Sequence, residues 1–499
     1  MRKLLLLLPS LGLLTFLVAC GSGTNAGFGT STVGDFSNSS MTGNYTYEIV
    51  GSDLGTQGLS FTPFREAGVF TADGKGNISM GEDDFSEGTL LQEHMITSGN
   101  YSISNDGTGD ATLNFANGGG VHVDITVANG SLVYLVVDTI GPQGTALFAN
   151  GYGTAQQQTA SAFAAPPSGT FVFRRHAVTA SQSNSVSAVG LITVSGGVVS
   201  GTEDVNQLGS ISQRTITSGV FNTPDSQGRG TGSLTDNTSA TTTFAYYVVN
   251  SSTVRLFSTD TGIGGLGEAE AQSGGPFSAT SLSGGYAFGA DGDDSVTGLG
   301  GTKAVGRFTA SSGSLTDGAF DSNVDGNPTT NASFTGMYTV ASNGRGTASP
   351  TGVSLPLIFY LVSPSRAYFL VNDPTVVEDG TADAQQTSTF SNSTMKAQFA
   401  FYMDGFDTSP NLWDRVGWLR GDGSGNLALS ELLDMNGSTN ASGIISGSYS
   451  VASNGRATGS INNLSSNLVF YLVSGSSGYI LQNDTGFQIS GAMTEQQAP

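Results

Sequence analysis

The chain has 499 residues, of which 72 are glycine and only 11% are charged, against roughly 25% charged in an ordinary globular domain. Lys and Arg total 17 and Asp and Glu 39, for a net charge of -22, which argues against nucleic-acid binding, because that requires clustered Lys and Arg. One Cys excludes a disulfide framework or a Cys-built metal site, the scattered His94, His122 and His176 do not suggest a histidine metal centre, and we expect no cofactor.

The N-terminus has the layout of a secretory signal peptide. Arg2 and Lys3 precede a largely apolar segment from Leu4 to Val18. This segment has about 15 residues and falls short of the roughly 20 that a membrane-spanning helix needs. It ends in Leu17-Val18-Ala19-Cys20.

This ending resembles the lipobox of bacterial lipoproteins, in which the signal is cut before the Cys and the Cys is acylated. The resemblance implies lipidation at Cys20, the chain's single cysteine, with residues 1–19 removed. Two or three acyl chains anchor a protein stably, because each buried CH₂ contributes roughly 0.8 kcal/mol. Gly21, where Asp would favour inner-membrane retention in enterobacteria, points to the outer membrane. Residues 20–40, rich in Gly, Ser, Thr and Asn, are typical of a flexible tether.

The rest of the chain contains one pattern four times. Each copy has, in order, a Gly-x-aromatic-x-aromatic motif, a Gly before an apolar residue, a Gly-x-aromatic motif with a polar turn, an apolar hairpin ending in Asp, and a Gln-containing strand. The first motif is Gly43-Tyr45-Tyr47, Gly169-Phe171-Phe173, Gly284-Tyr286-Phe288 and, with Ala for Gly, Ala397-Phe399-Phe401. The third motif begins at Gly99, Gly219, Gly336 and Gly447. The Gln-containing strands hold Gln156-Gln157, Gln272, Gln385-Gln386 and Gln496-Gln497.

The repeat predicts four modules of roughly 110 to 125 residues, a normal domain size. We place them at 41–160, 166–274, 280–388 and 393–497, with polar or Ala/Pro-rich stretches between them. Short linkers of this kind suit a beads-on-a-string chain with modest contacts between modules.

Each module is predicted to be all-β. Polar and apolar residues alternate with period two, as in residues 44–49 and 121–125, and tight-turn pairs such as Asn129-Gly130 separate the runs. Module 3 contains about eight such runs, beginning near Tyr286, Val305, Ser314, Ala332, Gly346, Leu357, Ala367 and Glu378. Consecutive hairpins form an antiparallel meander, and closing it into an eight-stranded up-and-down barrel would remove exposed edges. A two-sheet β-sandwich is the alternative.

Two resemblances accompany this fold. In strand number and order the modules resemble calycin-type barrels such as lipocalins and avidins, but the signature residues of those families are missing, so no ligand site is carried over. The mature chain also resembles multi-module β-repeat lipoproteins of environmental bacteria, and this resemblance implies no particular activity.

One segment has the beginning of a calcium-binding loop. Asp321, Asn323 and Asp325 match its first half, but Ala332 occupies the twelfth position, where a bidentate Glu is needed. We interpret the segment as a polar hairpin loop.

Two acidic clusters are interpreted as solvated turns, with weak calcium binding as the alternative. One consists of Asp291, Asp293 and Asp294, and the other of Glu82, Asp83 and Asp84.

Other repeated or unusual residues are interpreted as structural. Asp138, Asp260, Asp373 and Asp484 end the apolar hairpin of each module, and a carboxylate at that place commonly caps a turn. Arg229, Arg345 and Arg456 recur in the polar turns and are expected to pair with a carboxylate, with Thr108 near that position in module 1. Trp413 and Trp418 occur in module 4 alone; we expect them to pack in the core, although a Trp pair on a β-face could stack on a sugar.

The sequence contains no recognisable catalytic constellation, and we predict a protein that is not an enzyme. The main hypothesis is an exported, lipid-anchored envelope protein whose modules form a structural spacer or an interaction array for an extracellular protein or glycan. The alternative is a set of lipocalin-like barrels, each enclosing a small apolar ligand in a cavity of some 300 Å³ or more. A carbohydrate-active enzyme, which needs two facing carboxylates, is a third and weaker alternative. The sequence does not indicate the oligomeric state.

Overall fold

Alternating polar and apolar residues form strands along the whole repeat region. The computed structural model describes residues 35–55, 62–140, 147–179, 185–294, 301–352, 356–409, 411–462 and 466–499. The predicted signal peptide, Cys20 and most of the predicted tether lie outside the described residues. None of the described helices has the length and hydrophobicity that a membrane crossing requires.

The first two barrels take the first half of the chain. The strands of barrel 1 are β1 (Thr42–Gly55), β2 (Thr62–Asp73), β3 (Asn77–Glu87), β4 (Leu90–Ile103), β5 (Thr108–Phe115), β6 (Gly120–Asn129), β7 (Leu132–Ile140) and β8 (Leu147–Gln157). Those of barrel 2 are β9 (Gly169–Thr179), β10 (Ser185–Ser195), β11 (Val198–Gln207), β12 (Ser210–Phe221), β13 (Arg229–Asp236), β14 (Thr241–Asn250), β15 (Thr253–Ser258) and β16 (Ile263–Ala271).

The last two barrels follow the same order. The strands of barrel 3 are β17 (Ser283–Asp294), β18 (Gly301–Ser311), β19 (Ser314–Val324), β20 (Asn327–Val340), β21 (Arg345–Thr351), β22 (Leu357–Ser363), β23 (Arg366–Val371) and β24 (Val376–Ala384). Those of barrel 4 are β25 (Gln398–Asp407), β26 (Leu412–Gly421), β27 (Asn426–Met435), β29 (Ile445–Val451), β30 (Arg456–Ile461), β31 (Asn467–Leu472), β32 (Ser477–Gln482) and β33 (Phe487–Glu495), with the short β28 (Thr439–Ala441) added on β27.

Every barrel is an antiparallel meander that closes by pairing its first strand with its last. In barrel 1, for example, Tyr45 of β1 faces Gln157 of β8, and β9–β16, β17–β24 and β25–β33 pair in the same way. Closure leaves no exposed sheet edge. The predicted eight-stranded up-and-down barrels are confirmed, and the sandwich alternative is wrong.

The aromatic residues of the first motif fill the barrel interiors, because residues two apart on a strand face the same side. Tyr45, for instance, stacks on Phe70 with ring centroids 5.6 Å apart. The glycine of the second motif makes room for these rings: a Cβ on Gly190 would lie 2.5 Å from the ring of Phe173. A ring packed over a strand glycine in this way pins the register of neighbouring strands.

A short 3-10 helix precedes the first strand of each barrel, and the tyrosine of the third motif holds it in place. The helices are Asn38–Ser40, Ala160–Ala164, Ala279–Ser281 and Asn392–Met395. Tyr101 donates a hydrogen bond to the carbonyl of Met41 at 2.7 Å, and Tyr338 donates to the carbonyl of Ala279 at 2.7 Å. In barrel 2 the equivalent residue, Phe221, contributes packing alone.

A repeated glutamine links each barrel to the next. Each side-chain amide donates a hydrogen bond to a main-chain carbonyl: Gln158 to Val248 at 2.7 Å, Gln272 to Leu361 at 2.8 Å, Gln385 to Leu472 at 2.9 Å and Gln496 to Val127 at 2.7 Å. The last of these bonds runs from barrel 4 back to barrel 1. The four barrels therefore form a closed ring within one compact unit, rather than the extended string of modules that the short linkers suggested.

An ion pair reinforces three of the four seams of this ring. The turn arginine of one barrel lies against an aspartate of the preceding barrel, and a tyrosine donates a hydrogen bond to the same carboxylate. These sets are Arg229, Asp84 and Tyr247; Arg345, Asp204 and Tyr360; and Arg456, Asp321 and Tyr471, with Arg–Asp distances of 2.7 to 2.8 Å. We call each set a seam clasp.

The seam between barrels 4 and 1 has a different chemistry. Thr108 and Thr126 face each other where the other barrels place the clasp Arg and Tyr. Leu432 takes the position of the clasp Asp and packs on an apolar cluster that joins the two barrels and includes Tyr134 and Val416. Both halves of the clasp are replaced together, which leaves no buried charge unpaired at this position of the seam.

We predict that breaking a clasp destabilises the ring. The side chain of Asp204 is 1% exposed, so Arg345→Met leaves a buried carboxylate without its counter-charge, and a loss of about 3–5 kcal/mol is expected. Adding Asp204→Leu should restore part of this loss, because the stranded charge is removed. Urea denaturation of a soluble Cys20→Ala protein measures both, with the exposed Lys75→Met as control. Equal stability of the single and double variants would contradict the role of the clasp.

The closed ring also predicts the size of the protein in solution. A compact unit of this length has a radius of gyration of about 23 Å, and an extended string of four barrels would be clearly larger. Small-angle X-ray scattering of the Cys20→Ala protein is expected to give the smaller value. A larger value with the barrels still folded would show that barrel 4 does not return to barrel 1.

Candidate functional site

A cavity lies between the four barrels, on the inner side of the ring, and we call it the central cavity. Its volume is about 470 Å³, within the range that small-molecule sites occupy. The first and last strands of every barrel contribute to its lining, for example Glu48 on β1, His176 on β9, Asp293 on β17 and Tyr402 on β25. The cavity exists because the ring closes.

The barrel interiors offer much less space. Voids of about 20 Å³ in barrel 1 and 10 Å³ in barrel 4 would each hold roughly one water molecule. In barrels 2 and 3 continuous clusters of buried aromatic and aliphatic side chains occupy the interior. The predicted apolar ligand inside each barrel therefore has no support in the described residues.

Charged side chains dominate the central cavity. Its lining includes seven carboxyl groups, four Lys or Arg side chains and one His. The carboxyl groups belong to Glu48, Glu268, Asp291, Asp293, Asp379, Asp404 and Asp414, and the basic groups to Arg65, Arg174, Arg175, His176 and Lys303. A ligand in this cavity meets an excess of negative charge.

Lys303 and His176 fix the position of four of these carboxylates. Lys303 Nζ lies 2.8 Å from Asp291 and 2.7 Å from Asp404, and so joins barrels 3 and 4. His176 lies 3.3 Å from Asp379 and 3.6 Å from Asp293, and so joins barrels 2 and 3. Burial would lower the pKa of His176, but its hydrogen bonds to Asp293 and Asp379 raise the pKa to about 10. Both basic groups are therefore cations at neutral pH.

The wall between barrels 4 and 1 carries carboxyl groups of a different kind. Asn150 donates a hydrogen bond to Asp414 at 3.0 Å, and Asp434 faces Asp414 on the neighbouring strand. Burial raises the pKa of Asp414 to about 8. Burial and the neighbouring Asp414 raise the pKa of Asp434 to about 9. Asp434 is thus neutral at pH 7, as is most of Asp414.

The segment interpreted as a polar hairpin loop is mostly strand: Asp321 and Asn323 are buried on β19, and the turn is limited to Asp325 and Gly326. The residues that match a calcium loop are used for other contacts. Both carboxylate oxygens of Asp321 accept hydrogen bonds from the clasp Arg456 at 2.7 Å. The side chain of Asn323 donates to the carbonyl of Asp484 at 2.9 Å. A guanidinium group bound to the first carboxylate opposes a cation at this position, and no group of three or more metal-ligating His, Cys, Asp or Glu side chains occurs among the described residues. We therefore do not propose calcium binding at Asp321, Asn323 and Asp325.

The two acidic clusters lie on strands β3 and β17 rather than in turns. The interpretation as solvated groups is wrong for Asp83 and Asp84, whereas Asp291 and Asp293 stay partly exposed. Asp83 and Asp84 lie on β3 and are 0% and 3% exposed, Asp83 inside barrel 1 and Asp84 in a seam clasp. Asp291 and Asp293 lie on β17 and line the central cavity. Cys20 lies outside the described residues, so its lipidation stays a prediction.

The predicted turn cap is present at Asp373, which accepts hydrogen bonds from the main chain and hydroxyl of Thr375. Its counterparts bond elsewhere: Asp260 and Asp484 accept from Thr243 and Asn467, each 17 residues away, and Asp138 bonds to His122 and Thr439. Trp413 packs edge-on against Phe487, and Trp418 is 5% exposed and donates to Asp106 of barrel 1 at 3.1 Å. Trp418 therefore belongs to the closing seam rather than to an open sugar-binding face.

Sequence reasoning missed the residues that line the central cavity. The usable signal was the scarcity of basic residues, since Lys and Arg total 17 in the whole chain, and three basic residues in succession at 174–176 directly follow the first motif of module 2. Without the arrangement of the barrels, nothing in the repeat says that the first and last strands of all four share one cavity.

Comparisons with known proteins do not assign the chain to a family. No family model matches it, and no curated protein matches it. The structure of intact Ap-TbpB, with N and C lobes, aligns at 8% identity and a TM-score of 0.18 over 75% of this chain and 86% of that one. A mutant of the vaccine antigen Transferrin Binding Protein B from Haemophilus parasuis aligns at 10% identity and a TM-score of 0.18 over 74% and 83% of the two chains. At these TM-scores the likenesses carry no argument.

We predict that the neutral carboxyl group of Asp434 makes the protein less stable as the pH rises. The folded state holds a proton that the unfolded state releases above its ordinary pKa of 3.8, so stability falls progressively between about pH 4 and pH 9. Asp434→Asn is neutral at every pH and should melt a few degrees above the wild type at pH 8, and at the same temperature at pH 4. Calorimetry measures both.

A matched control for this prediction is Asp422→Asn. The hydrogen bonds that Asp422 accepts from Asn426, Ser424 and Gly425 outweigh its burial and lower its pKa, so its charged form is stabilising above about pH 4. The control variant should lose stability at pH 8. A gain in both variants, or in neither, would contradict the assignment of the pH effect to Asp434.

Proposed function

We propose that this chain is a lipid-anchored binding protein of the cell envelope, in which four barrels form one scaffold around a ligand site on the axis of the ring. The observation that carries the proposal is the polar cavity of about 470 Å³ to which all four barrels contribute. Its charges are held in place by inter-barrel ion pairs, and such prior ordering lowers the entropic cost of binding a ligand.

The attachment to the membrane rests on the N-terminal sequence. The lipobox-like residues 17–20 and the Gly, Ser, Thr and Asn-rich segment that follows would place the ring on a short tether at the membrane surface. Gly21 favours the outer membrane.

Binding accounts for the cavity better than catalysis does. Lys303 and His176 each touch two carboxylates. These contacts keep both side chains protonated, and a protonated side chain cannot act as a base or a nucleophile. The carboxyl groups of Asp291, Asp379 and Asp404 are engaged by these same cations. These paired groups supply fixed charges that suit the recognition of a ligand.

An interaction surface for an extracellular protein or glycan is the second candidate. Three large apolar side chains on the third or fourth strands of barrels 1 to 3 stand exposed: Met95 on β4 at 66%, Val198 on β11 at 65% and Met337 on β20 at 67%. A role as a long spacer has less support, because the main chain of Phe36 donates a hydrogen bond to Asn105 and that of Gln497 donates to Ala128, so both ends of the described chain lie at barrel 1.

The anchor is tested by replacing Cys20. Cys20→Ala is expected to abolish incorporation of a clickable fatty acid and to release the protein from membranes, while Ser22→Ala retains both label and attachment. Label persisting on the Cys20→Ala protein would refute lipidation at Cys20.

The binding role is tested with the soluble Cys20→Ala protein. A panel of free amino acids, short peptides, sugars and organic acids is titrated at millimolar concentration, and a bound compound is expected to raise the melting temperature by mass action. If no member of the panel shifts the melting temperature, the proposed ligand site is refuted.

A further inference from the structure

Arg65 differs from the other basic residues of the central cavity. It lies on β2 of barrel 1, its side chain is 7% exposed, and it lines the cavity. Its guanidinium donates one hydrogen bond, to the carbonyl of Phe64 at 2.8 Å. Among the described residues no carboxylate lies within 4 Å of it, the limit for an ion pair, whereas Lys303 has two such partners and Arg174 has one.

The fold explains why Arg65 stays unpaired. Its neighbour Glu66 points to the opposite face of the strand, into the barrel, where Tyr47 donates a hydrogen bond to it. On the barrel 2 side Gly264 faces the stem of Arg65, and a Cβ there would lie 3.3 Å from Arg65 Cγ. The stem therefore fits closely between the barrels, and the charged end reaches the cavity.

Two carboxylates lie near this guanidinium without touching it. Asp291 and Asp293 line the same cavity as Arg65. Burial lowers the pKa of Arg65, and Tyr152, Asp293 and Asp291 partly offset that effect. The side chains of Asp291 and Asp293 are 50% and 41% exposed, the most open of the paired cavity carboxylates. Opposite charges thus face the same space and do not meet.

We propose that the central cavity binds a small zwitterion, an amino acid or short peptide, with its carboxylate on Arg65 and its ammonium group at Asp291 and Asp293. This inference rests on the proposed function and names the ligand class for that site. A guanidinium group binds a carboxylate through two parallel hydrogen bonds, and a ligand carboxylate would supply the partner that Arg65 lacks.

The charge of the cavity excludes simpler ligands. An anion without a positive group could pair with Arg65 but would have nothing to offer Asp291 and Asp293, the most exposed of the paired carboxylates. A cation without a carboxylate would leave Arg65 unpaired and would be repelled by it. A neutral sugar would satisfy neither charge, and an unpaired buried charge is costly. A zwitterion meets both requirements at once.

The test measures affinity by isothermal titration calorimetry with the soluble Cys20→Ala protein. The probes are L-alanine, L-alanyl-L-alanine and tri-alanine, each with its N-acetylated and its C-amidated form. At least one zwitterionic probe is expected to bind. Loss of either charge, by acetylation or amidation, is expected to weaken binding by about 10- to 100-fold, the range for a hydrogen bond to a charged group.

Variants of Arg65 locate the site. Arg65→Gln is expected to weaken the zwitterion by the same factor without lowering the melting temperature, since it removes a charge that has no ion-pair partner in the unliganded protein. Arg65→Lys keeps the charge but loses the paired hydrogen bonds, and should bind with intermediate affinity. Arg214→Gln is the matched control, because Arg214 pairs with Asp236 at 3.1 Å away from the cavity and should bind as the parent does.

The outcomes separate this inference from the proposed function. Equal binding of the blocked probes, unchanged affinity in Arg65→Gln and Arg65→Lys, or binding of sugars in place of zwitterions would overturn the zwitterion and leave a ligand site standing. Failure of the three alanine probes, with binding of other panel compounds, would likewise overturn the zwitterion. Failure of every compound would overturn both.

Discussion

The contact between one barrel and the next is the constraint on which the rest of the structure depends. A closed eight-stranded barrel has no free edge, so neighbouring barrels must join through side chains. The Gln bond at every seam and the clasp at three of them hold each barrel against its neighbour, and the fourth Gln bond brings Gln496 back to Val127. The closing seam uses Thr108, Thr126 and Leu432 instead of charges. Because of this difference, the faces of barrels 4 and 1 at the closing seam match each other and do not match the charged faces of the other three seams.

The sequence predicts the barrels well because their information is local. Period-two alternation, tight-turn glycines and aromatic pairs act between residues a few positions apart or on adjacent strands, and the eight strands of barrel 3 begin close to the positions expected. Seam contacts are not local: Arg229 meets Asp84 across 145 residues. The repeated turn arginines predict a carboxylate partner, but nothing in the linear sequence indicates that this partner lies in the preceding module.

The same limit explains the misreading of the acidic clusters. Asp83 and Asp84 look like an exposed acidic turn, since consecutive carboxylates are usually solvated. On a strand, however, neighbouring residues face opposite sides, so one enters the barrel and the other a seam. Each then meets a partner from a different element, Tyr47 for Asp83 and Arg229 for Asp84. The acidity of this chain is therefore partly structural, and a diffuse net charge gave no hint of it.

The location of the cavity follows from how the barrels are filled. In each barrel the aromatic residues of the first motif occupy the interior, and in several of them a glycine on the next strand admits the ring, so a ligand inside would have to displace the core that pins the register. The space between barrels plays no part in holding the strand register. Its walls are outward faces of first and last strands, which can carry charges without disturbing the interior alternation. A ring of filled barrels thus separates folding from recognition: the repeat specifies the scaffold, and residues that differ among the modules, such as Arg65, His176 and Lys303, give the cavity its chemistry.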